Sequence, residues 1–419
     1  MHRAFLAVSL GVCLGAVPGS GSNVVVRQAL TNPPTDAEAG TISGDGRFVA
    51  FVSMAKLLPA DGNLIQDVYV LDRQNDRITL ESSAFDGKPA DGSSIRPKLS
   101  IDGRYLSFDS SATNLTGAPD DNEMQDAFLR DRQTGVTRRI SNGLDGRSAN
   151  GSSEATVISA DGRVVVFQSS ATNLVHGPDA NGARPDIYMQ RLDGSGSVRV
   201  SVDDDGRQYS SSHAPSVSAD GQLVAFVSTP AGAQPGPGTS KAVHVRDMLA
   251  GRTTCISCAR VDGRQPSSAF APHLSADGRI VAFAAVTGTN GRSDIAVHDR
   301  STGLTTLVTR GANARSLSPR LSGTGRHVVF ESWASDLICS LRCSNETLDD
   351  NLLPDVYRFD RETKQFTRLS GSRQVWWAPS VAPSMDARGE TVVFSSRQQY
   401  GPEDVTVDFD QYVCSPSCE

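Results

Sequence analysis

One short phrase comes back seven times along the 419-residue chain: an apolar residue, Ser, a small residue, Asp-Gly, most often Arg, and a run that ends in Phe. Its glycines are Gly46, Gly103, Gly162, Gly221, Gly278, Gly325 and Gly389, so the steps are 57, 59, 59, 57, 47 and 64 residues. Self-similarity at such a period means that one supersecondary unit has been copied, and the fold must be one that copies can build together.

The phrase is clearest in Ser216-Val217-Ser218-Ala219-Asp220-Gly221-Gln222-Leu223-Val224-Ala225-Phe226, where two apolar stretches pivot on Asp-Gly. Glycine accepts positive φ, so this reads as a tight hairpin between antiparallel strands a and b. A third segment with period-two alternation follows, as in Asp67-Val68-Tyr69-Val70-Leu71-Asp72, Asp126-Ala127-Phe128-Leu129-Arg130-Asp131 and Asp355-Val356-Tyr357-Arg358-Phe359-Asp360. A turn such as Arg132-Gln133-Thr134-Gly135 leads to a fourth, such as Val136-Thr137-Arg138-Arg139-Ile140-Ser141. Each copy is therefore a four-stranded meander.

A lone meander cannot bury both faces, so neighbours must stack. A period near the upper end of known blade lengths argues for a propeller. The expectation is an all-β, seven-bladed β-propeller of four-stranded antiparallel blades, spanning residues 23–419 as one domain. The last copy supplies a hairpin at Met385–Ser395 and a third strand at Asp410–Val413, and the fourth is absent. Asn23-Val24-Val25-Val26-Arg27-Gln28, a strand without a hairpin of its own, is expected to fill that outer place and hide two exposed edges.

Met1-His2-Arg3 followed by an apolar run from Ala4 to Val17 and then Pro18-Gly19-Ser20-Gly21-Ser22 has the layout of a secretory leader, expected over residues 1–22. The run is too short for a membrane span, and no other segment is apolar enough to be one. Of 40 Lys and Arg, Arg3 falls in the leader, which leaves 39 against 47 Asp and Glu. A net charge of that sign makes nucleic acid an unsuitable partner. Six cysteines remain, as Cys255/Cys258, Cys339/Cys343 and Cys414/Cys418. In an exported chain an even count reads as disulfides; sequence-adjacent pairing is the simplest of fifteen arrangements, and a metal site at Cys255/Cys258 is the alternative. The expected location is the periplasm or the medium, and the expected state a monomer.

Pro215-Ser216-Val217-Ser218-Ala219-Asp220-Gly221 with Val224-Ala225-Phe226-Val227-Ser228, the linking Ser111-Ala112-Thr113-Asn114-Leu115 and Ser170-Ala171-Thr172-Asn173-Leu174, and Asp355-Val356-Tyr357 resemble the repeats of bacterial TolB-like (WD-repeat-like) β-propellers. The resemblance covers residues 40–413. It implies a propeller and leaves function open. TolB itself has six blades and an additional N-terminal domain, and this chain departs in both. Related propellers precede serine-peptidase domains, but no Gly-x-Ser-x-Gly elbow occurs here.

In a four-stranded blade the b–c loops and the d–a connections share one face, and here they are the long ones. Recognition is expected there, on loops held by a rigid scaffold. The b–c loops repeat an acidic spacing: Asp61-x-Asn63-x₃-Asp67, Asp120-x-Asn122-x₃-Asp126, Asp349-x-Asn351-x₃-Asp355, and a looser Asp179-x-Asn181-x₄-Asp186. Alternate oxygen ligands suit Ca²⁺, which would stiffen these loops. The plainer reading is turn chemistry, with each strand-opening Asp bonded to nearby backbone N–H groups and no cofactor needed. Among the d–a connections, one carries Trp376-Trp377 in place of Asp-Gly. Paired indoles can anchor a sugar or a peptide, or cap the blade core, the reading preferred here. At the equivalent place on each innermost strand stand Thr41, Lys98, Val157, Ser216, His273, Arg320 and Ser384. Lys98, His273 and Arg320 would give a small anion a route into the central channel, unless these side chains point between blades.

For catalysis the yield is poor. His176, His213, His244, His273, His298 and His327 scatter over several copies, no His-Glu-x-x-His occurs, and nearly every Asp belongs to a repeating position. The expectation is a non-catalytic module that recognises a protein or a cell-envelope glycan. The alternative is a secreted enzyme of polysaccharide-lyase or hydrolase type with a site at the channel mouth, since some TolB-like propellers are lyases with a histidine-rich metal site.

Overall fold

A computed structural model describes residues 24–28, 40–54, 56–59, 61–230, 240–261, 265–288, 291–338, 352–370, 379–397 and 410–415. They form seven four-stranded antiparallel sheets and no helix, so none of the described residues supplies a helix long and apolar enough to cross a membrane. After β1 (Val24–Gln28), blade 1 holds β2 (Thr41–Ile42), β3 (Phe48–Ser53), β4 (Asp67–Asp72) and β5 (Arg77–Leu80). Blade 2 holds β6 (Ser94–Leu99), β7 (Tyr105–Ser110), β8 (Asp126–Asp131) and β9 (Val136–Arg139). Blade 3 holds β10 (Ser153–Ile158), β11 (Val164–Ser169), β12 (Asp186–Arg191) and β13 (Gly196–Arg199). Blade 4 holds β14 (Ser211–Val217), β15 (Leu223–Thr229), β16 (Ala242–Asp247) and β17 (Arg252–Cys255). Blade 5 holds β18 (Ser268–Leu274), β19 (Ile280–Val286), β20 (Ser293–Asp299) and β21 (Leu304–Leu307). Blade 6 holds β22 (Ser316–Leu321), β23 (His327–Ser332), β24 (Asp355–Asp360) and β25 (Gln365–Arg368). Blade 7 is ordered β1-β28-β27-β26, from β26 (Ser380–Met385), β27 (Val392–Ser396) and β28 (Asp410–Ser415).

The first strand of the chain therefore closes the last blade, with Val24 opposite Ser415 and Gln28 opposite Gln411. The innermost strands β2, β6, β10, β14, β18, β22 and β26 touch one another in sequence around the channel. Seven apolar clusters fill the seams between neighbouring blades, one per seam, as expected when each sheet hides its two faces against its neighbours. The Phe that ends each phrase is central to them. Phe51, Phe108, Phe167, Phe330 and Phe394 are fully buried, each with its ring 5.7–6.0 Å from that of an aromatic on the third strand of the same blade. Such pairs contribute roughly 0.5–1.5 kcal/mol beyond their buried area.

The phrase itself serves the hairpin and the ring at once. In blade 4 the Ser218 hydroxyl donates to Asp220 Oδ1 (2.6 Å), Gln222 N–H donates to the same oxygen (3.0 Å), and Leu223 N–H donates to Ser218 Oγ (2.9 Å). The small residue between Ser and Asp belongs to a belt of backbone hydrogen bonds. Gly44 donates to Ile101, Ile101 to Ala160, Asp161 to Ala219, Ala219 to Ala276, Ala276 to Gly323, Gly323 to Ala387, and Ala387 back to Gly44. At Gly44 the belt leaves no room for a side chain, because a Cβ would lie 2.1 Å from the Ile101 side chain that fills the same position of the next blade. The glycine of the phrase has a second duty besides positive φ: at Gly103 (φ 68°) a Cβ would meet the Phe48 ring of the preceding blade at 2.4 Å.

One feature went unanticipated. Each innermost strand from blade 2 to blade 7 carries a bulge built on a non-glycine left-handed residue, Arg96, Ala155, Ala214, Ala271, Ser318 or Ala382, with φ of 51–55°. In five of them the next residue is proline: Pro97, Pro215, Pro272, Pro319 and Pro383. Proline brings no N–H to the ladder, so the pairing skips there and resumes beyond it.

Candidate functional site: the loop face and the channel

The b–c loops and d–a connections meet on one face, tied to each other by hydrogen bonds. Phe85 N–H donates to the Asn114 carbonyl (3.1 Å), Asn63 Nδ2 to the Ala90 carbonyl (3.0 Å), and Asn122 Nδ2 to the Ala149 carbonyl (2.8 Å). Thr113 and Asp91, Asn150 and Thr172, and Asn313 and Ser335 make the same link at the seams between blades 1 and 2, 2 and 3, and 5 and 6. Large apolar side chains stand exposed on this framework: Leu64, Phe85, Met124 and Leu144, with Phe85 68% and Leu144 52% accessible.

The acidic repeats sit at the base of these loops. Each strand-opening Asp accepts a hydrogen bond from a hydroxyl just beyond the fourth strand: Asp67 from Ser82, Asp126 from Ser141, Asp186 from Ser201, Asp294 from Thr309 and Asp355 from Ser370. The hydroxyl, not the carboxylate, takes the backbone N–H of the residue that follows the Asp, as at Val68, Ala127, Ile187 and Val356. This corrects the turn reading in detail, since the Asp acts on the backbone through a serine. The second oxygens of Asp67, Asp126 and Asp186 are buried without a hydrogen bond. Near the aspartates of blades 2, 3 and 6 stands an arginine from the end of the fourth strand. Arg139 lies 3.4 Å from Asp120 and 3.6 Å from Asp126; Arg199 lies 3.8 Å from Asp179 and 3.3 Å from Asp186; Arg368 lies 3.6 Å from Asp355. Burial pushes Asp67, Asp126 and Asp186 up to about 6. Asp349 and Asn351 lie outside the described residues.

On the innermost strands the structure corrects the channel reading at His273. Its Nδ1 accepts the N–H of Leu321 on the next blade (3.1 Å), so the ring is turned into the seam between blades 5 and 6 and is not offered to an anion. Ser216 does the same one seam earlier, its hydroxyl accepting the N–H of Leu274 (3.1 Å). Burial, together with the positive charges of Arg320 and Lys98, pushes His273 down to about 3. Arg320 and Lys98 thus both act on His273, which is neutral.

The charged groups that do work near the channel are ones the sequence reading did not single out. Asp109, fully buried, receives Ala155 N–H (2.7 Å), Thr156 N–H (3.2 Å) and the Thr156 hydroxyl, all from the bulge of the next blade. Glu331 likewise receives Ala382 N–H (3.2 Å) and the Ser318 hydroxyl (2.7 Å). Arg96 bridges Asp109 (3.6 Å) and Glu154 (2.8 Å), and Gln168 Nε2 donates to Glu154 (3.0 Å). Burial raises Asp109 to about 7 against the pull of these donors and of Arg96. The network points inward on itself and holds bulged strands. A signal was available: the residue after the recurring Phe is apolar in Val52, Val227 and Ala284 but charged in Asp109 and Glu331.

Cys255 and Cys258 are bonded, with Cα atoms 5.5 Å apart, and His244 lies beside them. Among the described residues these three are the only group of three or more His, Cys or acidic side chains close enough to share a metal. His244 is buried, pushed down to about 4, and its Nδ1 bonds the Ser228 hydroxyl. The other histidines lie apart: His298 bonds Thr305 and His327 contacts the Arg388 carbonyl. Cys339, Cys343, Cys418, Trp376, Trp377 and the leader fall outside the described residues, as does Cys414's expected partner with them.

No family model matches the chain, and no curated protein does. Solved structures do. The oligogalacturonate lyase from Vibrio parahaemolyticus aligns with a TM-score of 0.55 at 12% identity, over 95% of this chain and 92% of that one. The β-propeller domain of the Trilobed protease from Pyrococcus furiosus, described as having an open velcro topology, aligns with a TM-score of 0.55 at 11% identity, over 90% and 94%. TolB from Acinetobacter baumannii aligns with a TM-score of 0.46 at 18% identity, over 82% and 67%. At these identities the likeness is one of fold: the chain is similar to β-propellers, among them that of an oligogalacturonate lyase and that of a protease.

Proposed function

We propose that this chain is an exported β-propeller that acts as a non-catalytic binding module and recognises a protein or a cell-envelope glycan through the face of b–c loops and d–a connections. One observation carries the reading. Phe85 stands 68% exposed at the tip of a connection whose backbone is hydrogen-bonded within itself and to the next blade. An aromatic ring held out on an ordered loop has little conformational freedom left to lose on binding, which is the physical character of an interface anchor. Leu64, Met124 and Leu144 extend the apolar surface across the first three blades, where a complementary protein surface would cover them. The acids and histidines described above are engaged in holding turns, bulges and seams, which supports binding over turnover.

The test is a capture experiment from cell-envelope extract with the wild-type chain and a Phe85→Ala/Leu144→Ala double variant, run beside a screen for cleavage of uronate polymers. The reading expects a retained partner that the double variant loses, and no cleavage. Cleavage of a polymer, or capture undiminished in a folded variant, would contradict it.

A further inference from the structure

The acidic repeats differ in one respect that the spacing of their ligands does not reveal. The ladder between the third and fourth strands sets Arg139 opposite Phe128, Arg199 opposite Tyr188 and Arg368 opposite Tyr357. At the same place in blade 1 the ladder sets Leu80 opposite Tyr69. Blades 2, 3 and 6 therefore carry a guanidinium against their buried aspartates, and blade 1 carries an isobutyl group. Yet blade 1 keeps both carboxylates. Asp61 is 3% and Asp67 1% exposed, and Asp67 Oδ2 is buried without a hydrogen bond. Asp67 Oδ1 is already taken by the Ser82 hydroxyl, and Asp61 by the Tyr69 hydroxyl and Asn63 N–H. Two carboxylates out of water without a counter-charge are costly, and the other blades relieve that cost with an arginine.

We propose that blade 1 binds one hard divalent cation of the Ca²⁺ class in the place its neighbours fill with arginine, with the carboxylates of Asp61 and Asp67 as protein ligands. Oxygen donors of this kind suit Ca²⁺, which completes its six to eight positions with water. The ion would cross-link the b–c loop of blade 1 to the start of β4. Asn63 donates its backbone N–H to Asp61 and its side-chain N–H to the Ala90 carbonyl, so the ion would brace the connection that presents Phe85. The inference concerns loop order alone and stands independently of whether that face binds a partner.

Calorimetric titration of the metal-free chain with CaCl₂ tests it, alongside thermal melts with and without the ion. The proposal expects one site per chain with a dissociation constant on the order of 0.1–1 mM and a higher melting temperature with Ca²⁺. Asp67→Asn should lose both effects. Leu80→Arg should also lose them, while melting at or above the metal-free wild type, because it installs the neighbours' built-in cation. No heat and no shift at 5-fold above that range would overturn the proposal, as would undiminished binding in either folded variant. If one variant fails to fold, the other decides.

Discussion

The two faces of the ring are built from the same repeats and differ in how far their ties are fixed. On the face of the a–b turns, seven backbone hydrogen bonds run from blade to blade and return to their start, through a position that is Gly or Ala in six copies and Ile101 in the other. On the opposite face, backbone bonds also cross five seams, from Ser94 to Gln66, Ser153 to Gln125, Ser212 to Pro185, Ala269 to Lys241 and Ser380 to Pro354, but the longer connections are tied by side chains such as Asn63, Asn114, Asn122 and Asn173 and vary in length and sequence. Exposed apolar side chains stand on both faces: Ile101 on an a–b turn with Val136, Val198, Leu249 and Leu304 at or beside c–d turns, and Leu64, Phe85, Met124 and Leu144 on the loop face. A backbone belt tolerates change in neither register nor size, and side-chain ties on Asx-rich loops tolerate both. The turn face is thus the part that must be copied and the loop face the part free to specialise.

The largest expected effect strikes the ring as a whole. Deleting residues 23–30 removes β1 from blade 7 and exposes the length of β28. The melt should shift down as one cooperative transition, further than for any single substitution, and an unchanged melt would mean that closure does not depend on this strand. Next comes Gly103→Ala, which places a side chain at φ 68° and 2.4 Å from the Phe48 ring. A loss of about 2–4 kcal/mol by chemical denaturation is expected, against under about 1 kcal/mol for Gly87→Ala, where no atom lies within 4 Å of the added carbon and only the positive φ is strained.

His273→Gln sharpens the account of the seam. The native ring is held neutral down to about pH 3, whereas the unfolded ring binds a proton near pH 6.5. Its folded value is depressed, so the unfolded state holds more protons and the stability it supports is lost as pH falls from about 6.5 towards about 3. Within that window wild type should lose up to about 1.4 kcal/mol per pH unit through this group, and a glutamine that accepts the Leu321 N–H should lack that slope. Asp109, raised to about 7, acts in the opposite sense and is common to both proteins, so the difference between them isolates the histidine. The smallest effect on stability is expected of Phe85→Ala, within about 0.5 kcal/mol, because its ring is largely in water. A larger loss would mean that the ring supports the connection instead of serving a partner.

What could be read from the residues follows from which forces are local. Asp-Gly fixes a hairpin within a few residues, and seven copies of it fix the ring, so the blade count and the role of Asn23–Gln28 were legible. The bulges were not, although Pro97, Pro215, Pro272, Pro319 and Pro383 marked them, because a proline two residues before a strand's apolar position has several geometric solutions. The direction of His273 depends on an N–H contributed by the next blade, 48 residues away, and no local pattern encodes it. The arginines beside the acidic repeats were invisible for the same reason: Arg139, Arg199 and Arg368 lie a strand beyond the Asp-x-Asn spacing that suggests a metal, and only the ladder shows that they stand where an ion would.

Hydrogen exchange of the native chain, followed peptide by peptide, tests the contrast between the faces most directly. The account predicts that amides of the belt, at Gly44, Ile101, Asp161, Ala219, Ala276, Gly323 and Ala387, exchange together and only with global unfolding, while those of the d–a connections around Phe85 and Leu144 exchange earlier. Belt amides that exchange blade by blade, at rates matching the loop face, would contradict it.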